Sequence, residues 1–310
     1  MVRRLSIFIF VSVILASVLF AHAQQPKKIP RIGYLTGATR DGQSARIESF
    51  RQGLRELGYV EGKNIVIEYR YAEEKQDRLS TLAAELVRSN VDVIVTGGGG
   101  NTRAAKEATN TIPIVMAQDS DPVGNGFVAS LARPGGNITG LSNLSPEISG
   151  KQLELLKEII PKLSRVAVLG TSTNPANAPQ LGELELAAGA LNVKLQYLGV
   201  LGPKDIETAF RAATKESADA VLVLPGPIFN SNRSQIAKLA VKSRLPAIYS
   251  HSRYVIDGGL MTYGVNQTDL DRRAATYVDK ILKGAKPPDL PVEQPTRFEF
   301  SINLKASKSA

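Results

Sequence analysis

The chain of 310 residues has no cysteine and no tryptophan, and its two histidines are His22 and His251. Without cysteine there is no disulfide, no thiolate nucleophile and no thiolate metal site. Two histidines, one of them in an apolar leader, leave no basis for a multi-histidine zinc site or an H-E-x-x-H pattern. A disulfide-free chain must rest on a large apolar core, and this one is long enough to bury one. Its length suggests two domains. Charge of one sign is also unconcentrated. The formal net charge is +9, but the basic residues are scattered, so no nucleic-acid tail and no polybasic membrane patch can be read from them. The surplus reads as a solvated surface, and nucleic acid is not an expected partner.

The first residues carry a compartment signal. Arg3 and Arg4 form a short positive start, Leu5 to Phe20 is an apolar run, and Ala21-His22-Ala23 ends it with an A-x-A pattern. These features predict a removable export signal over residues 1–23. The run of 16 residues falls short of the roughly 20 needed to span a bilayer. With no cysteine at the exit, lipid anchoring is not expected, and a periplasmic location is.

The remaining chain alternates short apolar runs with longer amphipathic ones. Strands are predicted at 32–36, 65–71, 91–96 and 114–117. Helices are predicted at 44–57, 79–87 (with Asp77 as N-cap) and from Thr102 onward. The β-α-β alternation indicates a doubly wound α/β lobe with a parallel sheet. The pattern then restarts. Arg165–Leu169 resembles Arg31–Leu35, and the helix ending Leu191-Asn192 resembles the one ending Leu57-Gly58; both pairs lie 134 positions apart. Ala218–Leu224 echoes Val91–Val95. Two similar lobes with a cleft between them are expected. The breaker-rich Arg133–Gly140 leads into a crossing near Leu141 to Ser145. Further strands are expected at 246–249, 259–263 and 298–304, with a last helix at 269–282.

Three stretches could carry chemistry. Gly97–Gly100 follows an apolar strand and precedes a helix. Glycines there let backbone N–H groups approach a ligand, and a helix N-terminus favours an anion. No Lys-Ser/Thr pair follows, so it is not a P-loop; a plain strand-to-helix turn is the alternative. Gly124–Ala129 matches G-x-G-x-x-A formally, but falls late in the lobe with no acid at the expected distance. His251, flanked by Ser250 and Ser252, is the one candidate general base, without a G-x-S-x-G elbow. An exported hydrolase using either serine with His251 is the competing function. Aromatic and amide groups at strand ends, Tyr249, Tyr263 and Asn143, could sandwich a small ligand. No pattern calls for a cofactor or metal.

One segment is specific. Asp121-Pro-Val-Gly-Asn-Gly-Phe-Val-Ala-Ser-Leu-Ala-Arg-Pro-Gly-Gly-Asn-Ile-Thr-Gly140 resembles the signature of the ABC-transporter substrate-binding family related to tryptophan/tyrosine uptake receptors. Phe50–Tyr59, Gly258–Gly264, Ile281–Gly284, Pro291–Pro295 and Ile302–Lys305 also fit. The resemblance implies a type I periplasmic-binding fold with three crossovers between two lobes, 31–143 plus 264–288 and 144–263 plus 289–310. It implies a monomeric receptor that delivers a small solute, in some relatives an aromatic amino acid, to an ABC permease in the inner membrane. A ligand-binding subunit of a sensory system would share the fold. The binding residues implied are Thr36, Gly98, Asn101, Thr102, Gln118, Asp119, Asn143, Gly226, Tyr249 and Tyr263.

Overall fold

The apolar runs of the first half become one parallel sheet. The computed structural model describes residues 28–173 and 177–306; the expected leader, 1–23, lies outside them. Strands β1 (Arg31–Thr36), β2 (Val66–Tyr71), β3 (Val93–Gly97), β4 (Ile114–Asp119) and β5 (Ile138–Ser142) align in the order β2-β1-β3-β4-β5. Strands β1, β3 and β4 are almost wholly buried, as a parallel sheet covered on both faces requires.

The second half repeats this arrangement. Strands β6 (Arg165–Gly170), β7 (Lys194–Gly199), β8 (Ala220–Val223), β9 (Ala247–Tyr249) and β10 (Met261–Gly264) take the order β7-β6-β8-β9-β10, and β11 (Glu299–Ile302) pairs antiparallel outside β10. The likeness reaches individual atoms. Helix α1 (Arg40–Glu56) ends with the Tyr59 N–H donating to the Leu54 carbonyl, and α5 (Asn177–Leu191) with the Val193 N–H donating to the Ala188 carbonyl. Both are Schellman ends whose αL residue is Gly58 (φ 87°) in one lobe and Asn192 (φ 53°) in the other. Asp92 and Asp219 then play one role twice. Each carboxylate accepts from the first backbone N–H of its lobe's first strand, Arg31 of β1 at 2.8 Å and Arg165 of β6 at 2.9 Å.

Helices α2 (Leu79–Arg88) and α3 (Gly99–Ala108) cover one face of the first sheet, and α1 with α10 (Gln267–Leu282) covers the other. Around the second sheet lie α4 (Ser145–Ile159), α5, α6 (Asp205–Lys215), α7 (Pro227–Ser231), α8 (Arg233–Lys242) and α9 (Arg253–Ile256). Fully buried Phe50, Phe210 and Phe229 anchor these layers, each worth about 1.5–3 kcal/mol relative to exposure.

Several boundaries differ from the expectation for local reasons. Helix α1 starts at Arg40 because Thr39 caps it, its hydroxyl accepting from the Gly42 N–H. Asp77 is not a cap; it lies inside a 3₁₀ turn, Gln76–Arg78, that leads into α2. Helix α3 starts three residues before Thr102, within the glycines. Residues 138–142 form β5 beside β4 instead of a linker, so the chain leaves the first sheet only at Asn143. It returns after β10, and Val292 still packs in the first sheet's core while Leu141 bridges Glu293. The final crossing therefore falls between Glu293 and Glu299.

Candidate functional site

The carboxyl ends of both sheets face each other across a cavity of about 280 Å³. In open α/β sheets this is where ligands bind. The first lobe lines it with Thr36, Gly97–Asn101 and Gln118, the second with Thr171, Pro225–Ile228 and Asn230, and the crossing with Asn143 and Ser145. The lobes also touch beside it: a carbon added at Gly42 would lie 2.9 Å from Ser231 Oγ on α7.

Chain geometry sets the first wall. Gly98 has φ 99° and ψ 154°, a region essentially reserved for glycine. That twist lets β3 turn at once into α3. The opening amides of α3 have no intrahelical acceptor, and Gly99 and Gly100 line the cavity. Asn101 Nδ2 donates back to the Gly97 carbonyl and fixes the turn. Asn143 is held by Ser145, whose N–H and hydroxyl donate to Asn143 Oδ1 at 3.1 and 2.6 Å; its Nδ2 meets no acceptor among the described residues.

Beneath this wall lies a buried ion pair. Arg46 on α1 donates to both oxygens of Asp271 on α10, at 2.6 and 3.0 Å. Gln118, with its oxygen toward Arg46, accepts two more bonds at 2.7 and 2.8 Å. The Gln43 amide, on the same helix, donates to the Tyr34 hydroxyl at 3.2 Å. Bidentate pairing fixes the orientation of the guanidinium as well as its charge, so the cleft floor is a rigid polar frame.

Six of the ten expected residues therefore meet at the cavity: Thr36, Gly98, Asn101, Gln118, Asn143 and Gly226. The other four do not line it. Thr102 is fully buried, its hydroxyl 2.9 Å from that of Thr96. Asp119 sits behind Gly99, its Oδ1 accepting from Asn125 Nδ2 at 2.8 Å and its Oδ2 buried without a partner. Burial pushes its pKa up to about 6, against the lowering effect of the Asn125 and Asp121 hydrogen bonds. Tyr249 faces the core, where its ring stacks on Tyr254 with centroids 4.3 Å apart. Tyr263 is half-buried against the cores of both lobes, and its ring stacks on Phe298 with centroids 6.0 Å apart. Tyr249 ends its strand as expected, whereas Tyr263 stands one residue before the end of its own, which closes at Gly264; both carbonyls accept from Gln152. The two rings pack on opposite faces of the second sheet, and neither lines the cavity. Arg46, Asn230 and the glutamines Gln43, Gln76 and Gln180 line the cavity without having been anticipated.

The hydrolase residues do not assemble. The buried ring of His251 pairs through Nε2 with Asn230 Oδ1 at 2.9 Å, and with neither serine. Burial first, then the guanidiniums of Arg233, Arg253 and Arg46, hold its pKa down to about 3, far from that of a base working near neutrality. The Gly124–Ala129 stretch is a loop between β4 and β5 that opens no helix, so it is not a dinucleotide fingerprint. Among the described residues no cluster of three or more histidine or acidic side chains could hold a metal, and no helix is long and apolar enough to cross a membrane.

Two parallel-sheet α/β lobes facing each other across a cleft define the type I periplasmic-binding fold, and solved proteins of that fold superpose on this chain. Residues 33–310 match the model of the family described as ABC transporter substrate binding protein; the chain belongs to that family and is a substrate-binding protein. It is 28% identical over 263 residues to a "Tyrosine-binding protein" of Clostridioides difficile, covering 84% of this chain and 75% of that one. A conserved domain protein of Vibrio cholerae superposes with a TM-score of 0.84 at 30% identity, covering 91% and 94% of the two chains. An ABC domain of Streptococcus pneumoniae in complex with L-Trp does so with a TM-score of 0.83 at 26% identity, covering 90% and 93%.

Proposed function

We propose that this chain is the exported, monomeric receptor of an ABC importer and that its cleft closes on a single amino acid, with aromatic ones first among the candidates. The cavity carries this reading. Its volume, about 280 Å³, sits at the small end of the roughly 300–1,000 Å³ typical of ligand pockets. Its two walls differ as the two ends of an amino acid do. The α3 amides at Gly99 and Gly100 suit a carboxylate, and Pro225, Pro227 and Ile228 suit an apolar side chain. The tyrosine-binding and L-Trp-bound relatives support the same ligand class. Among the described residues no aromatic side chain lines the pocket, so an aromatic ligand would be gripped by amides and aliphatic carbon instead of by stacking.

We assign the lobes as 31–143 with 264–293, and 144–263 with 294–310, moving the last boundary to follow Val292 and Glu293. Export rests on the positive start, apolar run and A-x-A pattern of residues 1–23. Of the residues named from the sequence, Thr36, Gly98, Asn101, Gln118, Asn143 and Gly226 are kept as ligand contacts, and Asp119 as a buried charge behind the α3 turn. The test is thermal unfolding of the protein without residues 1–23, alone and with each of the common amino acids. A ligand at a hundred times its Kd stabilises by about 2.7 kcal/mol, a rise of several degrees. A rise confined to L-tyrosine, L-tryptophan or L-phenylalanine supports the proposal. No rise with any amino acid overturns the ligand class.

A further inference from the structure

Beside the main cavity a void of about 50 Å³ lies in the seam between the lobes. Arg46 and the start of α10 form one wall; Arg233, His251 and Arg253 form the other, and Gln43, Arg46, Asn230 and Gln267 are shared with the main cavity. Three guanidiniums thus converge when the lobes are shut. Two are neutralised. Arg46 is paired with Asp271, and Arg233 Nε donates to Asp257 at 2.9 Å while another of its nitrogens donates to the Asn230 carbonyl.

Arg253 is different. It is half-buried, and among the described residues no acceptor or carboxylate pairs with it. Burial, then Arg233, and also Arg46 from the other lobe push its pKa down, with Asp257 acting the other way. Closing the lobes therefore desolvates an uncompensated positive charge, which is costly unless an anion accompanies it. A second group beside it lacks a partner. His251 Nδ1 is buried and bonded to nothing. With its proton on Nδ1 and the Asn230 amide nitrogen in place of the Oδ1 that faces Nε2 here, the ring has a free donor on a residue that lines the void. The void has room for a small ion, since one water needs only about 10–15 Å³ of such space.

We propose that this seam is a site for one small monovalent anionic group, a halide or a carboxylate, held by Arg253 with the His251 ring, and that its occupation favours closed lobes. The site stands on the seam's own charges. Whether the group is a free ion or the carboxylate of the molecule in the main cavity is a separate matter that only the second experiment below draws on the proposed ligand class to answer.

The first experiment is thermal unfolding of the protein without residues 1–23 in sodium gluconate, an anion too large for the void. Chloride or formate replaces gluconate stepwise at constant ionic strength. A saturable rise in Tm of a few degrees is expected in the wild type, lost in Arg253→Gln and partly kept in Arg253→Lys. Arg253 is half-exposed, so the glutamine variant should fold, which far-UV circular dichroism checks. Equal titrations for wild type and Arg253→Gln overturn the site. The second experiment is calorimetric titration of L-tyrosine in the same two buffers. Chloride that tightens L-tyrosine binding at least threefold identifies a free ion. Chloride that weakens it, with at least a tenfold loss in Arg253→Gln, identifies the amino acid's own carboxylate. Failure of L-tyrosine to bind at all sinks the ligand class, while the chloride titration still decides the seam.

Discussion

The same topological position is built in opposite ways in the two lobes. After β3 the first lobe places Gly97–Gly100 and opens α3; after β8 the second places Pro225-Gly226-Pro227 and opens α7. Glycine presents backbone donors and allows close approach, whereas proline at the start of a helix has no N–H to present. Two copies of one unit have thus become a donor wall and an apolar wall. The contrast continues below the surface: the first lobe carries a buried ion pair under its wall, the second a stack of Tyr249 on Tyr254 with the His251 ring tilted against it. A cleft with unlike walls can orient a ligand that two identical walls could not.

The largest effect should come from breaking the first lobe's frame. Asp271→Ala leaves Arg46 buried without its carboxylate, and removing one partner of a buried pair costs about 3–5 kcal/mol. Urea unfolding reads this loss. Arg46→Met with Asp271→Leu should cost less than Asp271→Ala alone, because no charge is then stranded. A double variant as unstable as the single one would show that shape, not charge, is at stake.

The two lobes should also titrate in opposite directions. His251 in the second lobe has its pKa held down to about 3, against about 6.5 in an unfolded chain. Between these values only the unfolded chain takes the proton, so stability falls as pH drops from about 6.5 toward 3, by about 1.4 kcal/mol per unit. Asp119 in the first lobe has its pKa raised to about 6, against about 3.9 unfolded. Between these the native state takes the proton first, so stability rises as pH drops from about 6 to 4, with a similar slope. In the wild type the two nearly cancel over that window. His251→Gln should unmask the rise and Asp119→Asn the fall. Stability curves of the two variants that run parallel between pH 4 and 6 would contradict both assignments.

Much of this was legible in the residues. The alternation of apolar runs, the repeat spacing and the αL ends at Gly58 and Asn192 are local signals, and they specify two like lobes. The glycine turn was legible because few other residues could take its place. Arg46 and Asp271 left a trace that went unread: each is a charge on the apolar face of its helix, beside Ile47 and Phe50 in one and Leu270 and Ala274 in the other. A charge at such a position needs a partner, but nothing in the sequence says that the partner is 225 residues away. The tyrosines failed for a different reason. A strand end can be located from its pattern, yet which face a ring takes depends on register, and one residue of shift reverses it. The most recognisable stretch, Asp121–Gly140, marks the family without lining the cavity. It wraps between β4 and β5, burying Phe127 and Val128 and holding Asn125 against Asp119, so a signature for the fold carries little about the ligand.

Gly98→Ala against Pro227→Ala sharpens the contrast between the walls. Gly98 occupies a backbone region that strains any other residue by about 1–3 kcal/mol, so its alanine variant should lose that much stability and bind an amino-acid ligand at least tenfold more weakly. Pro227→Ala relaxes a favourable helix start and should cost about 0.4–1 kcal/mol, chiefly through the unfolded chain. Loss of binding in the proline variant alone would reverse the assignment of the two walls.

The smallest effect separates core from cleft. The Tyr249 hydroxyl is buried with no hydrogen-bond partner, and its ring belongs to the second lobe's core. Removing an unsatisfied buried polar group releases part of a desolvation cost of about 1–3 kcal/mol. Tyr249→Phe should therefore leave ligand affinity unchanged and hold or slightly raise stability. The argument depends on where the ring points, not on its being at a strand end. A residue that gripped ligand through its hydroxyl would lose affinity on the same change, so weaker binding by the phenylalanine variant would return Tyr249 to the site.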